Sequence, residues 1–305
     1  MRIPERWTDE QLTDGLNKAK NLFREERMEE ALEPYLVAFD NYRGAVEDLL
    51  ETSVDLSQLD ETLVDLLSNP VLQDVFRYLP GPFISKDDLK VLAETSLTPS
   101  VLRNDPSMAK RILEVVRVGL DRRRFPWVSE NRPPSEIEKT AAIIASAALM
   151  ANSRVSTDRK NEGKERQEMQ VQDALLARGY NQIPTGAVRT ITSGPRPGEF
   201  CRESLFGPSK ADFLIGLWDR RIMAIECKVS NSSTNSIKRL NHEAAGKAEK
   251  WIHDFGALGV VPVAVLSGVY KLLNLKSAQA RGLTIYWAHD LGELIGWIDA
   301  DRPQS

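Results

Sequence analysis

In the first half of the chain apolar residues recur at spacings of three and four, for example at Leu12, Leu16, Ala19 and Phe23. This period is typical of amphipathic α-helices. Two helix starts can also be recognised: Asp105 stands directly before Pro106, and Ser135 has the capping-box spacing to Glu138. We therefore predict an all-helical domain over residues 1–155.

After residue 160 helical and strand-like runs alternate. They are a helix over 162–178 ended by Gly179, a weakly alternating run over 187–193, strands over 211–217 and 222–228, a helix over 236–255, a buried strand over 260–266, a helix over 270–280, a strand over 283–287 and a last helix from Asp290. This order predicts an α/β domain over residues 156–305. The proline-rich segment 126–134 and the polar segment 152–160 are both candidates for the domain boundary.

The strand over residues 222–228 carries the main candidate chemistry. Alternation along a strand places Glu226 and Lys228 on one face and Cys227 on the other. Asp212 precedes Glu226 on the neighbouring strand and shares its face only if it pairs with Glu226 or Lys228, which needs an odd loop or a bulge. A two-residue turn at Asp219-Arg220 would instead pair Asp212 with Cys227.

Two convergent carboxylates are hard oxygen ligands that suit Mg²⁺, and the ion can polarise a phosphoryl oxygen and acidify a water. A neighbouring lysine can orient that water or stabilise developing charge. Alternating charges on a strand also occur on solvated sheet faces. The otherwise apolar character of residues 222–225 favours the catalytic interpretation.

Asp212 followed by Glu226-Cys227-Lys228, in the order helix, three strands, helix, strand, resembles the PD-(D/E)XK nuclease superfamily, with Ala211 in place of its usual proline. A closer likeness is to the XamI family of type II restriction endonucleases. It is carried by Lys210-Ala211-Asp212, by residues 226–232, by Thr234-Asn235-Ser236 and by Lys238-Arg239-Leu240-Asn241. The resemblance covers mainly residues 160–270 and implies a mixed central sheet flanked by helices.

The resemblance also implies roles for single residues. Asp212 and Glu226 would bind the metal together with the carbonyl of Cys227, and Lys228 would position or activate the attacking water. Members of the superfamily often add a glutamate from the first core helix, and Glu168 stands at the expected position. Glu165, one turn earlier on the same helix, is the alternative.

Hydroxyl, amide and basic side chains follow the catalytic strand and can contact phosphates or base edges. An ordinary helix-capping loop is the alternative interpretation of this segment. The predicted DNA contacts are Ser230, Asn231, Ser232, Ser233, Thr234, Asn235, Lys238, Arg239 and Asn241, together with Arg196 from an earlier loop.

Composition narrows the classes of function. A net charge of −4 argues against a protein that coats DNA by bulk attraction. The two cysteines form neither a disulfide framework nor a zinc motif, and no phosphate-binding glycine loop of an ATPase is present. Without a secretory signal pattern or a membrane-length apolar run, we expect a cytoplasmic protein with Mg²⁺ as its cofactor.

We therefore predict a type II restriction endonuclease that hydrolyses both strands of double-stranded DNA at a short, palindromic site. A two-fold site favours a homodimer, and a separate DNA methyltransferase would protect the host. The helical half would serve dimerisation or site reading. A structure-selective repair nuclease of the same fold and a catalytically inactive DNA-binding protein are the alternatives.

Overall fold

A computed structural model describes residues 2–232 and 237–303 of the chain. The helices are α1 (Asp9–Met28), α2 (Glu33–Thr52), α3 (Leu59–Ser68), α4 (Pro70–Arg77), α5 (Lys86–Leu92), α6 (Pro99–Asn104), α7 (Pro106–Gly119), α8 (Pro126–Glu130), α9 (Glu136–Ala177), α10 (Ala245–Phe255), α11 (Leu272–Ala280) and α12 (Leu291–Asp299). The strands are β1 (Asn181–Gln182), β2 (Ala187–Val188), β3 (Glu199–Phe206), β4 (Ser209–Gly216), β5 (Ile222–Ser230), β6 (Val260–Gly268) and β7 (Thr284–Trp287). A 3₁₀ turn spans Ile191–Ser193, and a π-helical segment, Ile237–Ala244, runs directly into α10.

The chain divides into two compact units. The helical unit comprises residues 31–159, and the sheet unit comprises residues 1–30 and 160–305. The first thirty residues, which the helical pattern grouped with the N-terminal half, therefore belong to the sheet unit. Their α1 packs on α11 and β6.

The helical unit contains α2 to α8 and the first part of α9 around one apolar core, which includes Leu49, Phe76 and Trp127. Both predicted helix starts are confirmed. The Asp105 side chain accepts a hydrogen bond from the Ser107 amide at the start of α7. Ser135 and Glu138 form reciprocal side-chain to backbone bonds at the start of α9.

The strands of the described residues form one mixed sheet in the order β1-β3-β4-β5-β6-β7, with β2 also paired to β3. β3, β4 and β5 are antiparallel neighbours, whereas β5, β6 and β7 run parallel. Helices cover both faces. The C-terminal part of α9 and α12 pack on one face through Val171, Leu175 and Leu294, and α10, α11 and α1 pack on the other. The expected mixed α/β architecture, a central sheet flanked by helices, is confirmed.

Two local features differ from the sequence-based expectation. The polar segment 152–160 contains neither glycine nor proline and is helical, so α9 continues through it for 42 residues. Within the segment an ion pair joins Arg154 to Asp158 one turn later, with 2.7 Å between Nε and Oδ2. The pattern also missed β3, because charged Arg202 and Glu203 interrupt its apolar residues.

None of the helices in the described ranges, 2–232 and 237–303, has the length and apolar character needed to cross a bilayer.

Gly216, the last residue of β4, lies against the backbone of the loop before β3. A Cβ atom at this position would stand 2.0 Å from the Arg196 carbonyl oxygen. We expect Gly216→Ala to destabilise the fold by about 3 kcal/mol, because relief of this clash would require the backbone itself to move. Thermal unfolding followed by circular dichroism measures the loss. The control is Gly246→Ala in α10, where nothing lies within 4 Å and alanine should stabilise by about 0.5–1 kcal/mol. Equal melting temperatures for the two variants would contradict this account.

Both cysteines lie inside the sheet unit. Cys201 and Cys227 are each 2% exposed, and burial raises the pKa of both thiols above the ordinary value. Because the thiolate is the reactive form, both should be inert in the native protein at pH 8. A thiol-reactive disulfide reagent should therefore titrate no cysteine before denaturation and both cysteines in guanidinium chloride. Rapid release of a thiol from the native protein would contradict the packing.

Candidate active site

Three carboxylate residues lie in one row across β3, β4 and β5. Phe213 of β4 pairs with Arg202 of β3 and with Ile225 of β5. By this register the preceding residue, Asp212, lies between Glu203 of β3 and Glu226 of β5. Glu203 has a left-handed backbone conformation with φ 50°, which a non-glycine residue rarely adopts. Like charges placed directly opposite destabilise a sheet, so this row requires compensating cations.

The loop between β4 and β5 sets this register. The Leu217 amide donates to the Arg221 carbonyl at 2.9 Å and closes a loop of three residues, 218–220, in which Arg220 has φ 70°. The odd loop places Asp212 opposite Glu226 and not opposite Cys227, so the register required by the sequence analysis is confirmed. The Asp212 carboxylate accepts a hydrogen bond from the Cys227 amide at 2.7 Å.

Helix α9 adds a further acid to the row. Within the described part of the chain, one group of three carboxylates has oxygen atoms within 4.8 Å of one another, and it consists of Glu168, Glu203 and Asp212. Glu168 is buried on α9, whereas Glu165 on the same helix is exposed. Burial and position thus distinguish the two glutamates that the sequence could not separate.

The Lys164 side chain reaches this three-acid group from one turn before Glu168. Its Nζ lies 3.1 Å from Glu168, 3.8 Å from Glu203 and 3.8 Å from Asp212. Burial acts to lower the pKa of Lys164, but the three carboxylates outweigh it and raise the pKa above the usual value. A cationic ammonium therefore compensates the cluster.

Two more cations hold individual acids. The Arg202 guanidinium lies 2.9 Å from Glu168, and Lys210 forms an ion pair with Glu203. The hydrogen bond from Lys210 lowers the pKa of Glu203 below the usual range. The Glu203 carboxylate is thereby kept available as an anionic oxygen ligand.

Glu226 binds two lysines from different elements. Its side chain is 0% exposed; Oε1 accepts from Lys247 of α10 at 2.7 Å, and Oε2 lies 2.7 Å from Lys228 of its own strand. Burial raises the pKa of Glu226 and the Asp212 charge adds to this effect, while the two lysines oppose it. Glu226 is therefore the most deeply buried acid of the site and depends on its lysines.

Lys228 is 14% exposed and is held as a cation. Burial acts to lower its pKa, but the charge and hydrogen bond of Glu226, with Asp212 and Glu243, raise it above the usual value. The backbone of this residue is also fixed, because the Tyr270 hydroxyl donates to its carbonyl oxygen at 2.7 Å. A protonated lysine can donate hydrogen bonds to a water or a phosphate oxygen but cannot accept a proton.

The donor set fits a hard divalent cation. The amide and carbonyl of a strand residue point to the same side, so the Cys227 carbonyl faces β4 and Asp212, as its amide does. Carboxylate and carbonyl oxygens are the ligands that Mg²⁺ prefers. Asp212, Glu226, Glu168 and the Cys227 carbonyl could supply ligands for such an ion, with Glu203 beside them.

The predicted DNA-contacting residues have different environments. Asn231 and Ser232 are partly exposed, and Lys238 and Arg196 are exposed. Ser230 is fully buried and donates to the Ser232 carbonyl. Ser233, Thr234 and Asn235 lie outside the described residues.

Two residues of this segment form hydrogen bonds with other parts of the protein. Arg239 donates to the Val229 carbonyl, and the Asn241 carbonyl accepts from Arg281. Among the predicted contacts that the structure describes, Lys238 and Arg196 therefore have the most accessible side chains.

Sequence reasoning missed several residues of the site. Glu203, Lys164 and Lys247 are not among the candidate residues that the sequence indicates. The lysines lie in ordinary polar positions of amphipathic helices. A left-handed glutamate has no sequence signature either, so only the tertiary contacts reveal these three residues.

The amino-acid sequence is similar to those of known proteins. The profile of the family described as XamI restriction endonuclease matches residues 57–287. The Type II restriction enzyme XamI of Xanthomonas campestris pv. amaranthicola is 41% identical over 263 residues, which cover 85% of this chain and 95% of that enzyme. On both grounds, the chain belongs to the XamI restriction endonuclease family.

Proposed function

We propose that this protein is a type II restriction endonuclease that hydrolyses phosphodiester bonds of double-stranded DNA at a specific short site with Mg²⁺. The observation that carries the proposal is the convergence of Glu168, Glu203 and Asp212 beside the Glu226–Lys228 ion pair of the neighbouring strand β5. Family membership and the identity to a type II restriction enzyme support the reaction class.

Each residue would have a defined part in hydrolysis. Asp212, Glu226 and the Cys227 carbonyl would hold the metal ion, and Glu168 would complete the ligand set. When bound, a divalent cation supplies charge neutralisation at the scissile phosphate. Lys228, held protonated beside Glu226, would orient the attacking water and stabilise charge that develops on the phosphate oxygens.

The order of elements around the site supports a PD-(D/E)XK core. Helix α9 supplies an acid, β4 and β5 supply the aspartate and the Glu-x-Lys pair, and α10 follows β5. This assignment makes the sheet unit the nuclease domain. The helical unit would then contribute to site reading or to dimerisation.

The partners follow from the reaction. A palindromic site would be cut by a homodimer, since two symmetric active centres can address both strands. Exposed Lys238 and Arg196 would contact the backbone or bases, as would Asn231 and Ser232. A separate DNA methyltransferase in the cytoplasm would methylate the same site in the host DNA and so protect it from cleavage.

The function is tested with unmethylated plasmid DNA. Wild-type protein should produce discrete ends with Mg²⁺ and none with EDTA, and sequencing of the ends defines the site. Lys228→Ala should cut at least about 100-fold more slowly, because one charge-stabilising donor is lost. Lys250→Ala, at an exposed position of α10, is the matched control and should cut normally.

Other outcomes of this experiment would favour the alternative functions. Random ends would favour a structure-selective repair nuclease, and binding to a site without cleavage would favour an inactive DNA-binding protein.

The two glutamates of α9 give a second test. Glu168→Gln should reduce the cleavage rate about 100-fold, because a buried anionic ligand beside Asp212 is removed. Glu165→Gln, with the same chemistry at an exposed position, should retain wild-type activity. Comparable losses in both variants, measured under single-turnover conditions, would refute the choice of Glu168.

A further inference from the structure

The two oxygen atoms of Glu226 are divided between two lysines. Oε2 lies 2.7 Å from Lys228, which the proposed mechanism assigns to the water and the phosphate. Oε1 accepts from Lys247, which lies on a separate helix. If Lys228 turned toward a substrate, the fully buried carboxylate would still keep one cationic partner.

Lys247 also connects the strands that carry the acids. Its ammonium donates to the Lys210 carbonyl on β4 at 2.7 Å, two residues before Asp212, as well as to Glu226 on β5. The backbone ladder between β4 and β5 extends only to the pair Phe213–Ile225. Beyond this pair, the Lys247 contacts join the strands together with the bond from the Cys227 amide to Asp212.

We propose that Lys247 is a positioning residue for DNA hydrolysis: it holds Glu226 in place and joins β4 to β5 where their ladder ends, so that Lys228 is free to engage the scissile phosphate. This inference rests on the proposed nuclease function. Lys247 is 28% exposed and acts through Glu226, so it need not touch DNA.

The separation of binding from catalysis tests this role. Lys247→Met should lower the single-turnover cleavage rate about 10–100-fold, as is usual when a partner of a metal-ligand side chain is removed. The Kd for the cleaved site, measured with Ca²⁺ in place of Mg²⁺, should change by less than about threefold, because a positioning role affects the rate more than binding. Lys250→Met on the same helix is the control for the loss of a lysine.

Lys247→Arg provides the conservative variant. Arginine keeps the charge and can donate to the Glu226 carboxylate and the Lys210 carbonyl together, so its cleavage rate should lie within about fivefold of wild type. A Lys247→Met enzyme with an unchanged rate would overturn the proposal. An arginine variant as slow as the methionine variant would also overturn it.

A measurement on the metal-free protein separates this inference from the function on which it rests. Lys247→Met should lower the melting temperature by about 4 °C, and by about 1 °C or less when Glu226 is already glutamine, because contacting residues are energetically coupled. Equal losses in both backgrounds would overturn the pairing. Strong coupling without any Mg²⁺-dependent cleavage by wild-type protein would instead refute the nuclease function and leave the Lys247–Glu226 contact in place.

Discussion

The sheet unit depends on charge compensation in the middle of its antiparallel strands β3, β4 and β5. Four carboxylates converge there, and a cluster of this kind is unfavourable unless cations lie within a few ångströms. The protein supplies them from α9, β3, β4, β5 and α10. The compensating side chains are Lys164, Arg202, Lys210, Lys228 and Lys247.

This compensation ties local structure to function. The sheet packs apolar residues on both faces, and helices cover both, so Glu168, Asp212 and Glu226 are removed from bulk water, whereas Glu203 stays partly exposed. Burial strengthens every charge interaction among them. Against the effect of burial, the Glu226, Asp212 and Glu243 charges keep Lys228 protonated, as its proposed charge-stabilising role requires, and Glu226 lies between two lysines.

The register between β4 and β5 determines whether Asp212 and Glu226 can belong to one site. The three-residue loop between β4 and β5 fixes which residue of β5 lies opposite Asp212. A register shift of one residue would place the Asp212 side chain on the opposite face of the sheet from Glu226. Leu217 and Arg221 close that loop with a backbone hydrogen bond. The aspartate can therefore reach the Cys227 amide and lie beside the Glu-x-Lys pair.

The sequence by itself indicated most of the helices and strands, though not β3, and those candidate residues that can be recognised within a single element. Periodicity and caps identified the helices, alternation identified β4 and β5, and the Asp212, Glu226 and Lys228 spacing indicated the family. The tertiary structure alone decided that Glu168 and not Glu165 faces the acids, and that Glu203, Lys164 and Lys247 join them. The physical reason is range: periodicity reports neighbours within a helix or strand, whereas these contacts join residues that only packing brings together.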